Sequence, residues 1–129
     1  MENKYVKKQY PNSDLTGQLI SFAYLIYDDL GYGLPERVYQ KAFQALLAKK
    51  NFEFKKERYG KIIFDGVTVG KYFIDFLVEN KVAVEFKVRS EIYQKDISQL
   101  LNYLKAENIQ TGLIVAFSKE GIKLKRLIN

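Results

Sequence analysis

Three side chains near the middle of the chain have the types and spacing for chemistry on a phosphate: Asp75, Glu85 and Lys87. Two carboxylates can hold a hard divalent cation whose other positions stay with water and substrate oxygens. An ammonium beside them can touch the same ligand from a neighbouring position. Together they form a metal-dependent phosphodiesterase arrangement in miniature. From Val82 to Val88, Val82, Val84, Phe86 and Val88 alternate with Ala83, Glu85 and Lys87. Glu85 and Lys87 therefore share one face of a strand, roughly 7 Å apart. The bland alternative is a solvated strand face on which Lys87 merely forms a surface salt bridge with Glu85.

The elements that must position these groups begin with a second strand, Tyr72 to Val78, aromatic and β-branched in composition. Glu79-Asn80-Lys81 is a polar break of hairpin-loop length. A three-residue loop pairs Val78 with Val82, Phe76 with Val84 and Ile74 with Phe86, and so unites the apolar sides; a two-residue loop would mix them. Asp75 then lies opposite Glu85. Opposed Cβ atoms are about 5 Å apart, and two like charges so placed repel one another. A bound cation, Mg²⁺ or Mn²⁺, would compensate.

The chain has no histidine, cysteine or tryptophan. A Ser-His-Asp triad, a cysteine nucleophile, a histidine base and a Cys/His zinc site are thereby excluded within it. Its 129 residues, 47% hydrophobic, make one domain over residues 1–129, with residues 1–13 expected as a flexible segment. Twenty-one Lys and Arg against 15 Asp and Glu leave a net charge of +6, which suits a polyanionic partner. No apolar run approaches membrane-spanning length and no signal peptide is visible, so a cytoplasmic setting is the default.

Asp14 or Ser13 can cap a helix over Leu15 to Leu30, carried by Leu15, Leu19, Phe22, Ile26 and Leu30. Gly31-Tyr32-Gly33 breaks it, and Pro35 fits the first turn of a second helix reaching Lys50. Phe52 to Arg58, Lys61 to Phe64 and Val67 to Val69 read as strands, with Asp65-Gly66 as a turn. After the key hairpin come a helix over Ile92 to Glu107, a buried strand over Thr111 to Phe117 and an edge strand or tail over Ile122 to Ile128.

This order of elements, helix, helix, strands, hairpin, helix, strand, carries motifs that add to it. Gly33-Leu34-Pro35-Glu36-Arg37-Val38-Tyr39 reproduces GxxExxY, and the chain resembles the family of small proteins that this signature names, within the PD-(D/E)XK nuclease superfamily. Asp75, Glu85-Phe86-Lys87 and Gln99-Leu100-Leu101-Asn102-Tyr103 resemble the D, ExK and QxxxY elements of RecB-like nucleases. The similarity runs from about Leu15 to the C-terminus; its one departure is Ile74, where the pattern has proline.

The resemblance implies an α/β restriction-endonuclease-like core, a central mixed sheet flanked by helices. It implies Asp75, Glu85 and the Phe86 backbone carbonyl as metal ligands, with Glu36 completing the shell. Lys87 would orient the attacking water and stabilise the transition state, while Gln99 and Tyr103 would arrange the site or contact substrate. The implied activity is Mg²⁺-dependent endo- or exonucleolytic hydrolysis of DNA, and many nucleases of this fold work as homodimers. For Glu36 the plain alternative is an acidic residue serving a helix dipole; for Tyr39 it is a core tyrosine with a hydrogen-bonded hydroxyl. A non-cleaving nucleic-acid-binding module and a protein using metal for stability alone are the competing functional classes.

Overall fold

Apolar residues at helical spacing start the molecule. In the computed structural model, which describes residues 3–7 and 9–129, helix α1 (Ser13–Leu30) buries Leu19, Ile20, Phe22, Ala23 and Ile26. Neither Ser13 nor Asp14 caps it. Asn12 stands at the cap in the left-handed conformation, and its side-chain amide donates to Thr111 Oγ1 at 3.0 Å, tying the helix start to a distant strand. Gly31, at φ 72°, ends the helix. Helix α2 (Glu36–Lys49) follows, with Pro35 as its extended N-cap instead of its first helical residue.

Among the described residues five strands form one sheet: β1 (Phe54–Phe64), β2 (Val67–Val78), β3 (Val82–Lys87), β4 (Thr111–Ser118) and β5 (Gly121–Ile128). Their spatial order is their chain order. Only β3 and β4 run parallel, with α3 (Gln94–Glu107) crossing between them; every other neighbouring pair is antiparallel. The sheet is thus mixed and flanked by helices, as expected, and β5 is a true edge strand.

The break expected between Arg58 and Lys61 does not occur, and β1 runs through it. Gly60 lies opposite Tyr72, whose ring occupies the space a Cβ at Gly60 would need. Gly60, within the gap expected between the two strands, is here a strand residue that lets an aromatic ring cross the ladder. Asp65 and Gly66, both at positive φ, close this long hairpin.

The β2–β3 loop is the three residues expected, with Glu79 and Asn80 left-handed, and Val78 pairs with Val82, Leu77 with Ala83 and Phe76 with Val84. The register beyond that differs. Ile74 does not join Phe86; it packs in a second core layer with Leu100, Tyr103 and Leu104 of α3. Phe76, Phe86 and Phe117 belong to the first layer, under α1 and α2, where Phe43 meets Phe86 edge-on at 4.9 Å. With both faces covered, β3 and β4 are buried almost throughout, which accounts for the unbroken apolar run of β4.

The N-terminal segment expected to be flexible makes defined contacts where it is described: the Asn3 amide donates to the Gly17 carbonyl and to Ser21 Oγ, and Tyr5 stacks on Tyr24. Residues 1, 2 and 8 lie outside the described set.

Tyr39 is wholly buried, stacks on Phe117 at 4.3 Å and donates its hydroxyl to the Gly31 carbonyl at 2.6 Å. It therefore closes the α1–α2 connection, where Gly33 takes φ 106°. Tyr39→Phe keeps the packing and leaves that carbonyl without its donor. It is expected to lower the unfolding free energy by about 1–2 kcal/mol in a denaturant titration.

Candidate active site where β2 and β3 part

The β2–β3 ladder stops one pair before Asp75 and Glu85. Beyond it the strands are joined by a side chain: Asp75 Oδ2 accepts the backbone N–H of Phe86 at 2.6 Å. The expectation that Asp75 and Glu85 face each other as a ladder pair is corrected accordingly. The strands diverge, and the carboxylate of Asp75 fills the place a backbone carbonyl would take. On β1 the partner position, Glu57, is left-handed at φ 54° and absent from the β1–β2 register, so the sheet is irregular on both sides of Asp75.

Helix α2 approaches from one side. Gln40 donates to Asp75 Oδ1 at 3.0 Å and to Glu36 Oε2 at 3.4 Å, linking the two carboxylates. Sequence reasoning missed Gln40. Its position four residues after Glu36, on the same helix face, was the available signal. Asp75 also walls a cleft of about 150 Å³ together with Arg37, Gln40 and Lys41 of α2 and Lys56 and Glu57 of β1.

Glu85 is 4% exposed, and no side-chain hydrogen bond joins it to another described residue. Burial is the main reason its carboxyl is pushed up to about 8; the charges of Asp75, Glu36 and Asp96 add to the effect and Lys87 opposes it. Burial also raises Asp75, against the Phe86 N–H, Lys87 and the Gln40 amide. Glu36 is raised first by burial and then by Asp75, with Lys87 and Arg89 opposing. Glu36, Asp75, Glu85 and Lys87 therefore lie within electrostatic reach of one another.

On the α3 side Lys87 Nζ lies 3.9 Å from Asp96 Oδ1, and the Arg89 guanidinium donates to Asp96 Oδ2. Asp96 also accepts the Tyr93 backbone N–H at 2.9 Å, at the start of the helix. Burial pushes its carboxyl up, but the hydrogen bonds from Arg89 and Tyr93 and the Arg89 and Lys87 charges bring it below the usual range. Arg89 and Asp96 were missed in the sequence. Arg89 continues the Glu85, Lys87 alternation, and Asp96 stands three residues after the cap position, where an acidic side chain can reach back to it.

Gln99 is half-buried, with no side-chain hydrogen bond to another described residue. Tyr103 is a core residue of the second layer; burial raises its hydroxyl, and its charged neighbours are Arg58 and Glu107, not Glu36, Asp75 or Glu85. Phe86 presents its side chain to the first core layer, as expected.

Among the described residues no three metal-ligating side chains converge tightly enough to hold an ion between them. The donor set suits a hard cation nonetheless. Glu85, buried and without a side-chain hydrogen bond to another described residue, and Asp75, oriented by the Phe86 N–H, offer two carboxyl groups, and Mg²⁺ needs only one or two as ligands when water and substrate oxygens complete its shell.

An α/β mixed sheet with paired carboxylates and a lysine where two strands part defines a restriction-endonuclease-like protein. A family model described as the PD-(D/E)XK nuclease superfamily matches residues 13–127, and the chain belongs to that superfamily, whose members are in general hydrolases acting on nucleic acid. The fold is also similar to that of a crystal structure of SSO0001, with TM-score 0.54 and 20% identity over 73% of this chain. The match spans 50% of that longer protein's length. No functionally curated protein matches the chain. Among the described residues no helix is long and apolar enough to cross a membrane.

Proposed function

We propose that this protein is a GxxExxY-type nuclease that hydrolyses phosphodiester bonds of DNA with Mg²⁺ or Mn²⁺. The observation that carries the reading is the Asp75 carboxylate accepting the Phe86 N–H. It brings Asp75 onto the Glu85-Phe86-Lys87 segment, while Gln40 connects it to Glu36. Asp75, Glu85 and the Phe86 carbonyl would hold the cation, with Glu36 reaching it through water. When bound there, the cation would supply Lewis-acid polarisation of the scissile phosphate. Lys87 holds a positive charge beside the reacting phosphorus and stabilises the charge that develops there. Gln40 orients Asp75, and Asp96 holds Lys87 and Arg89 on the α3 side. In the signature itself, Gly33 turns the chain, Glu36 faces the site and Tyr39 anchors the loop.

The test is cleavage of labelled single-stranded, duplex and branched DNA and of RNA with Mg²⁺, Mn²⁺ or EDTA. Cutting that needs the metal supports the reading, and the substrate preference names its target. The loose arrangement of the acidic groups, together with Lys87 turned to Asp96, favours one second reading: a nucleic-acid-binding module that does not cleave. Salt-sensitive binding without cutting by any metal would select it.

A further inference from the structure

The β1–β2 hairpin extends well beyond β3, which pairs only with Phe76, Leu77 and Val78 of β2. On its projecting part Tyr72 and Ile74 are buried in the α3 layer, whereas the alternate residues Lys71 and Phe73 face out on the other side, the side on which Asp75 meets Gln40 of α2. Phe73 is 59% exposed and Tyr59, directly opposite it, 47%, their ring centroids 6.1 Å apart. The next row outward is Lys61 opposite Lys71, and Lys71 Nζ lies 5.0 Å from the Tyr59 ring centroid. Two lysines in one cross-strand row repel each other, and so large an apolar surface is costly in water. An anion with flat apolar faces would relieve both.

We propose that this face of the hairpin binds an unpaired nucleic-acid strand and feeds it to the carboxylate site. Bases stack on Tyr59 and Phe73, and phosphates lie on Lys61 and Lys71. Successive rows are about 7 Å apart, a step comparable with one extended nucleotide, and the line they make leads to Asp75 and its cleft with Arg37, Lys41 and Lys56. A duplex keeps its bases stacked inside and offers nothing to the two rings. A second copy of the chain fits less well, because a two-fold contact through this face would set four lysines together. The inference rests on the nuclease reading for its substrate class.

Binding of fluorescent oligodeoxythymidylate and oligouridylate, and of a duplex of equal length, is measured in EDTA on the full chain. Wild type is expected to prefer the unpaired strands. Phe73→Ala should weaken that binding about tenfold, and Lys61→Ala with Lys71→Ala should reduce the slope of log K against log salt by about 1.4. Thermal unfolding like that of wild type confirms that these exposed changes leave the fold in place. Tighter binding of duplex, wild-type affinity in both variants, or self-association lost in Phe73→Ala with oligonucleotide binding untouched would each overturn the proposal. Because binding is read in EDTA, its failure is separate from failure of the nuclease reading, which shows in cleavage by the wild-type chain with metal.

Discussion

Lys87→Ala is expected to slow metal-dependent cleavage by about 10²–10³-fold, the scale for removing one group that stabilises developing transition-state charge. The fold should survive, because Asp96 keeps its hydrogen bonds from Arg89 and the Tyr93 N–H when the lysine is gone. Asp75→Ala and Glu85→Ala should abolish activity at least as completely, each removing a proposed ligand of the ion. Glu36→Ala should weaken metal affinity more than stability. Single-turnover cleavage beside thermal unfolding checks all four. Cleavage by Lys87→Ala at the wild-type rate would sink the catalytic assignment, and loss of folding in all four would move these residues from chemistry to structure.

Stability of the metal-free protein is expected to fall as pH rises from about 5 to about 9. The folded state keeps a proton on Glu85 up to about 8, whereas the ordinary value is 4.5. Between those values the folded chain binds the extra proton. The contribution is thus fully present below the unfolded value and is lost as pH climbs through the folded one. Asp75 and Glu36 are shifted in the same sense. Asp96, held below its ordinary 3.8, acts in the opposite direction and only on the acid side. At roughly 1.4 kcal/mol per pKa unit the loss amounts to a few kcal/mol. Glu85→Gln removes the ionisation while keeping the shape, so in EDTA at about pH 8 it should melt several degrees above wild type and lose most of the pH slope. Lys87→Ala should carry the loss on to higher pH, since Lys87 opposes the effect of burial on Glu85. A pH-independent melting temperature in wild type would refute the buried-carboxylate account.

Much of the site was legible from local pattern. Period-2 alternation placed Glu85 and Lys87 on one face, and the polar loop of Glu79 to Lys81 set the register of Phe76, Leu77 and Val78 against β3. Motif resemblance indicated the superfamily and the mixed α/β sheet. What local pattern could not show was where pairing ends. The divergence at Asp75 depends on the left-handed Glu57 and on the Phe86 N–H finding a carboxylate, and neither is a property of β2 alone. The same limit hid the long hairpin, because Gly60 reads as a break until Tyr72 is laid across it.

By itself the sequence determined the helices, the identity and order of the acidic and basic groups, the exclusion of histidine and cysteine chemistry, and the tight β2–β3 turn, because each follows from residue types and short-range periodicity. Only the tertiary structure decided that Glu85 is buried on a strand covered on both faces, that Gln40, Arg89 and Asp96 hold the polar groups of the site, and that Tyr103 belongs to the core. Those outcomes depend on which elements pack together. Packing brings residues from α2, β3 and α3 into one place, and their charges acquire their strength only there, where water has been removed.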